Sequence, residues 1–234
     1  MQSTAEAILS VPPSSSVETG QCVILSGVSW ATYEQLLADF QDRHVAHFAY
    51  DQGVLEIMVL SAEHEVIKHT IALLVDILAE ELNINVYGFG STTFRREDLK
   101  RGFEPDACFY VQQSARVRGK RTLDLTVDPP PDLVIEVDIT SPSLNRMSIY
   151  AALGIPEVWR YDGARVRIAR LKGKAYALAE ESVVLPGVSS EQLSQWVEES
   201  HSLERTVWLQ RVRGWVRTQR GKRQQKTTKK KSKL

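Results

Sequence analysis

Acids set within apolar stretches are the residues of this chain best suited to chemistry. In Asp132-Leu-Val-Ile-Glu-Val-Asp-Ile-Thr-Ser-Pro-Ser143, the residues Leu133, Val134, Ile135, Val137 and Ile139 make the apolar run of a strand buried on both faces. Glu136 and Asp138 interrupt that run two positions apart, so both side chains point to one face. Two carboxylates on one side of a buried strand cost several kcal/mol unless a cation or hydrogen-bond donors compensate. Glu136 therefore reads as a metal ligand. Asp106 follows Pro105 at the mouth of a second apolar segment, Ala107–Val111. Neighbouring strands would bring Asp106 and Glu136 to one Mg²⁺, a cation that favours hard oxygen donors. The competing use of the same pair is salt bridges to Arg or Lys. Glu65, near the start of a long helical segment, could add a third carboxylate, or could be an acid favoured at a helix N-terminus. Pattern alone does not separate Glu65 from Glu63.

Other reactive residue types carry less. His64 and His69 are five apart on that helix and do not share a face, which argues against zinc. Trp159 and Tyr161 could stack on bases, but their alternation fits a sheet face packed on the core. No nucleophile elbow and no glycine-rich phosphate loop is present.

Periodicity supplies the elements that would position these acids. Ser29 can cap a helix from about 30 to 40 with Leu36, Leu37 and Phe40 on one face. Residues 47–58 read as a β-hairpin turning at Asp51-Gln-Gly53. Behind a Ser61 cap, Val66, Ile67, Ile71, Leu74, Val75, Leu78 and Leu82 recur at helical spacing over 63–82. Short strands follow at 84–89, 92–95 and 107–111, then a loop over 112–128 whose Arg116, Arg118, Lys120 and Arg121 could touch phosphates but fit a solvated loop face better. Ser143 can cap a helix over 145–153 that Gly154 and Pro156 stop. Asp162-Gly163 joins two further strands, 176–184 offers another, and helices follow over 190–200 and 203–217.

Glu104-Pro-Asp106, Asp132-Leu-Val-Ile-Glu-Val-Asp138, Ser141-Pro-Ser143 and Leu153-Gly-Ile-Pro-Glu-Val-Trp159 together resemble the Uma-two family of restriction-endonuclease-like proteins, in the PD-(D/E)xK nuclease superfamily. The resemblance runs from about Trp30 to about Arg217. It implies an α/β fold: a three-layer α/β/α core with a mixed central sheet. It also implies a metal site of Glu65, Asp106 and Glu136, with the backbone carbonyl of Val137 as a further ligand. Mg²⁺ or Mn²⁺ there would polarise a scissile phosphate and lower the pKa of an attacking water. In the superfamily pattern a lysine stands two residues after the Glu, where this chain has Asp138. In similar proteins the lysine lies on the following helix, four residues before a Tyr. Counting back from Tyr150 gives Arg146. Arg keeps the charge and can grip phosphate with two donors, but it does not transfer protons near neutral pH. Arg146 either performs the electrostatic part of the lysine role or marks an impaired site, and its bland use is a solvated first-turn residue. Asp138 could pair with Arg146 or help hold a second metal.

Composition bounds the rest. The 234 residues suffice for one sizeable domain with appendages, and 43% hydrophobic with 25% charged residues fits an ordinary globular chain. No apolar run reaches the ~20 residues of a membrane span, and Cys22 and Cys108 are too few for a disulfide framework. A cytoplasmic address follows as the default. Nine of the 29 basic residues fall between Arg217 and Leu234 with no acid among them, which leaves 20 bases against 29 acids elsewhere. The expected organisation is a disordered leader over 1–21, a nuclease-like domain over 22–216 and a disordered basic tail over 217–234 that contacts polyanions or only solubilises. The expected function is Mg²⁺-dependent hydrolysis of DNA phosphodiester bonds. The alternative is an impaired nuclease fold that binds nucleic acid or a protein partner. A homodimer is compatible with cutting two strands.

Overall fold

The computed structural model describes residues 21–40, 46–139 and 144–231, with side chains up to 221. In chain order the first half contains β1 (Cys22–Ser26), α1 (Trp30–Phe40), β2 (His47–Asp51), β3 (Val54–Met58), α2 (Ala62–Leu82), β4 (Tyr87–Gly90), β5 (Phe94–Arg96) and β6 (Arg101–Phe103). Then come β7 (Ala107–Tyr110), α3 (Ser114–Val117), β8 (Leu133–Val137), α4 (Arg146–Leu153), β9 (Glu157–Tyr161), β10 (Val166–Lys172), β11 (Ala175–Ala179), α5 (Ser190–Ser202) and α6 (Arg205–Lys231).

The strands form two sheets. The larger has the order β11-β10-β9-β8-β7-β4; only β8 and β9 run parallel, so the sheet is mixed, as the resemblance implies. The pairs β9–β10 and β10–β11 are joined by short turns, such as the Asp162-Gly163 turn between β9 and β10, where Gly163 adopts a φ of +87°. The parallel pair needs a crossover, and α4 lies in that connection.

Every residue of β8 is buried, because both faces of the sheet are covered. On one face Ile135 and Val137 of β8 pack with Ile71 and Leu78 of α2, Trp196 of α5 and Trp208 of α6. On the other, Val134 and Val158 pack with Ile149 and Tyr150 of α4 and with Phe94 and Phe103. Those two phenylalanines belong to the second sheet, five antiparallel strands in the order β1-β3-β2-β6-β5. The α/β class is as expected; the face opposite the long helices is shared between α4 and this sheet.

Local chemistry explains the ends. Ser61 Oγ accepts from the His64 N–H at 3.1 Å to start α2, and Asn83, left-handed at φ 57°, closes it. Ser29 caps α1 by accepting from the Thr32 N–H at 3.1 Å. The β2–β3 turn uses Gln52 at φ 48° and Gly53 at φ 100°, the positive values a two-residue hairpin turn needs. The expected Ser143 cap lies outside the described residues.

Two expectations change. The buried face of α1 is made by Trp30 and Tyr33, whereas Phe40 is 37% exposed. And α6 does not end at 217: the helix runs on to Lys231, through Lys, Arg and Gln residues that are good helix formers. Arg213 and Arg217 pair with Glu81 near the end of α2, and Arg220 donates to the Glu81 carbonyl. The first residues assigned to the tail thus dock on the domain. Among the described residues no helix is long and apolar enough to cross a membrane.

Gly102 of β6 lets the second sheet close on α1. A Cβ there would fall 2.3 Å from Tyr33 Oη, and Tyr33 is fully buried and stacked on Tyr50 at 4.9 Å. Gly102→Ala is expected to lower stability by about 2 kcal/mol, as overpacking does, read as a fall in the urea midpoint with unchanged slope. A wild-type midpoint would show that Tyr33 gives way freely.

Candidate functional site

The antiparallel pairing of β7 with β8 matches Ala107 to Ile135, so Asp106, one residue earlier, stands across from Glu136. The Val137 N–H donates to Asp106 Oδ2 at 2.7 Å and fixes that apposition. Both acids are buried, Asp106 at 1% and Glu136 at 4% exposure. They lie on the face of the sheet that carries Cys108 and Val134, towards α4.

Glu136 is held from α4. Tyr150 donates its hydroxyl to Oε1 at 2.5 Å, and Arg146 Nη1 donates to Oε2 at 3.0 Å. The four-residue spacing puts Arg146 and Tyr150 on one face of α4, one turn apart. Phe103 meets the Tyr150 ring edge-on at 4.8 Å, so the second sheet braces it. Arg146 is itself buried, not a solvated first-turn residue.

The rest of the guanidinium belongs to a residue that the sequence pattern did not single out. Arg146 Nε and Nη2 both donate to Glu56 Oε1, at 2.9 and 2.6 Å. Glu56 Oε2 accepts from the Leu144 N–H at 3.0 Å, and only 3% of the residue is exposed. Two buried acids from different sheets thus share one arginine. The available signal was Glu56 itself, a charged residue between Leu55 and Ile57 in a hairpin strand.

Two histidines face Asp106. His64 Nε2 lies 2.8 Å from Oδ1 and His47 Nδ1 lies 3.7 Å from it. None of these three atoms makes an aligned hydrogen bond, so the contacts are electrostatic. His64 enters the site although its spacing from His69 argued against a metal role, because Asp106 is its partner.

The remaining expected residues are placed elsewhere. Glu65 is 49% exposed at its side chain and pairs with Lys68 at 2.6 Å. Its neighbour His64 takes the inward position on α2. Glu63 is exposed. Asp138 pairs with Arg160 of β9, not with Arg146. Trp159 is fully buried in the core, its indole N–H donating to Glu157 at 2.7 Å. The structure therefore brings together Asp106, Glu136, Val137 and Arg146, adds Glu56, His47, His64 and Tyr150, and leaves Glu65 outside.

Burial dominates the electrostatics. It pushes the Glu136 carboxyl up, aided by the charges of Asp106 and Asp138 and opposed by Arg146 and the Tyr150 hydroxyl. Burial would raise Asp106 too, but contact with His64 and the Val137 N–H outweigh it and hold Asp106 below the usual carboxylate range. Burial brings His47 down to about 4, against the pull of Asp106.

Carboxylates suit a hard divalent cation, and Asp106 Oδ1 is a buried oxygen with no aligned donor. Asp106 and Glu136 thus fit such an ion in chemistry and position. Among the described residues, however, no three His, Cys, Asp or Glu side chains are gathered so as to hold a metal as they stand.

A family model described as "Uma2: Putative restriction endonuclease" matches residues 30–210, well over half of the chain. No curated protein matches the chain in sequence. A crystal structure described as "a putative nuclease belonging to DUF820" from Anabaena variabilis is similar at 14% identity and a TM-score of 0.43, covering 64% of this chain and 90% of its own.

The depressed pKa of His47 makes a pH prediction. The folded state keeps the imidazole neutral down to about 4, whereas the unfolded chain takes up the proton near 6.5. Its contribution is therefore intact above about pH 6.5 and is lost as pH falls towards 4. In metal-free buffer, the stability of wild type should fall by about 2–3 kcal/mol more than that of His47→Asn between pH 7 and pH 4.5. Parallel profiles would mean that His47 protonates freely in the fold.

Proposed function

This chain belongs to the Uma2 family, and from that premise we propose that it is a metal-dependent nuclease that hydrolyses phosphodiester bonds of DNA. The observation that carries the reading is the buried cross-strand pair Asp106–Glu136 with a fixed cation, Arg146, on Glu136. A folding core has little use for two acids in apposition between apolar layers.

Asp106 and Glu136 would hold Mg²⁺ or Mn²⁺, with the Val137 carbonyl as a further donor. A bound ion of this kind supplies Lewis-acid polarisation of the phosphate and a water of lowered pKa. The chain's own residues do the rest. The Val137 N–H and His64 fix the carboxylate of Asp106, and Tyr150 fixes that of Glu136. Arg146 supplies positive charge for a phosphate and for the charge that grows on it, but no proton. The basic residues from Arg217 onward add a contact to the DNA backbone that is independent of sequence and weakens with salt.

One observation favours the alternative, a nuclease fold that binds nucleic acid or a protein partner without cutting. Arg146 makes three hydrogen bonds to two acids, and Glu65 faces away from them. An arginine so engaged is less available to a phosphate than a lysine at the same place.

A plasmid-nicking assay with Mg²⁺ or Mn²⁺ decides between them. Wild type should nick in a metal-dependent way, and Asp106→Ala should lower the rate at least about 100-fold, the scale of losing one electrostatic element of a site. Wild-type silence with cleavage by Arg146→Lys would assign the chain to the binding reading. Silence from both, with DNA retained at low salt, would remove the catalytic reading altogether.

A further inference from the structure

The two acids that Arg146 joins come from different sheets, and both are buried. Glu56 belongs to β3 and is 3% exposed; Glu136 belongs to β8 and is 4% exposed. What stands between them is a guanidinium that spends all three of its nitrogens on them: Nε and Nη2 on Glu56, Nη1 on Glu136. Two carboxylates facing one another across a single positive centre are the donor arrangement of a hard-cation site, with the positive charge here supplied by a side chain.

Glu65, by contrast, lies half-exposed beside Lys68 and already has a cation of its own. For Glu65 to join Asp106, the first turn of α2 would have to rotate His64 out of its contact with that acid. Glu56 needs no such change, because the guanidinium places it one arginine width from Glu136. The same guanidinium keeps Glu56 and Glu136 from closing on one point, and among the described residues no three acidic or imidazole side chains are gathered so as to hold a metal.

We propose that Glu56, rather than Glu65, is the third carboxylate of this centre, and that Arg146 occupies a cation seat between Glu56 and Glu136 for which a divalent metal ion must compete. The proposal rests on the assignment of Asp106 and Glu136 as the metal-holding pair. It adds a regulation of that pair by the chain's own arginine. Metal entry requires the guanidinium to give up its donor to Glu136 and its two donors to Glu56. A shorter contact set, such as a single ammonium, yields the seat more readily.

The test is Mn²⁺ binding to the full chain by titration calorimetry and by the metal-induced rise in melting temperature, so its outcome is separate from whether DNA is cut. Arg146→Met should bind Mn²⁺ at least about tenfold more tightly than wild type and melt higher in its presence. Adding Glu56→Gln to that variant should abolish the gain, whereas adding Glu65→Gln should leave it intact. If Arg146→Met does not fold, Arg146→Lys keeps a charge in the core and should still bind more tightly than wild type. Equal Mn²⁺ affinity in wild type and the folded Arg146 variant would overturn the competition. Loss of the gain with Glu65→Gln but not with Glu56→Gln would return the third carboxylate to α2.

Discussion

A buried positive charge that reconciles two buried negative ones is the constraint on which this structure turns. Glu56 and Glu136 are fixed on strands of separate sheets, and Arg146 on α4 is the only described side chain that pairs with both. Each of the three alone would be an ion in an apolar layer, at a cost of several kcal/mol. Together they tie β3, β8 and α4 at one point. The surroundings serve that point: Tyr150 completes Glu136, Phe103 braces Tyr150, and the Leu144 N–H completes Glu56. Ser148 of α4 also donates to Asp51 of β2, which accepts from Arg101 of β6, so the helix is moored to the second sheet twice.

The same geometry sets what the site can do. Asp106 is arranged by donors that leave one oxygen without an aligned hydrogen bond, whereas both oxygens of Glu136 are engaged. The pair is therefore asymmetric: one acid is available and the other is guarded. An arginine in the guarding position favours holding charge over moving protons, which separates the binding of a phosphate from the chemistry performed on it. The acid-rich body and the basic residues that begin on α6 divide the electrostatics in a related way, with Arg217 docked on Glu81 and the basic run continuing beyond it.

Much of this was legible in the sequence because it obeys local rules. The apolar run of β8, the periodicity of α2, the Asp162-Gly163 hairpin and the Gly154 stop of α4 each follow from short-range chemistry. The apposition of Asp106 with Glu136 could be argued from one acid at a strand's mouth and another within an apolar strand run. What escaped depends on distance along the chain. Glu56 lies 90 residues from Arg146, and no spacing rule links a hairpin strand to a helix across two sheets. The division of the eleven described strands into two sheets is likewise a matter of pairing, which periodicity does not encode. His64 and Glu65 are adjacent, and only the rotation of α2 decides which faces in. The basic run has the composition of a solvated end because charge dominates it, yet its residues favour helix and continue α6.

The most direct measurement is the unfolding free energy, in denaturant at neutral pH with chelator, of wild type, Arg146→Met and the triple variant Glu56→Gln/Arg146→Met/Glu136→Gln. If the arginine is the cation that makes two buried acids tolerable, removing it alone should cost about 3–5 kcal/mol. Neutralising both acids as well should then restore most of that loss. A single variant within about 1 kcal/mol of wild type, or a triple variant less stable than the single one, would contradict the claim. The fold would then rest on its apolar layers alone, with the three charges as passengers.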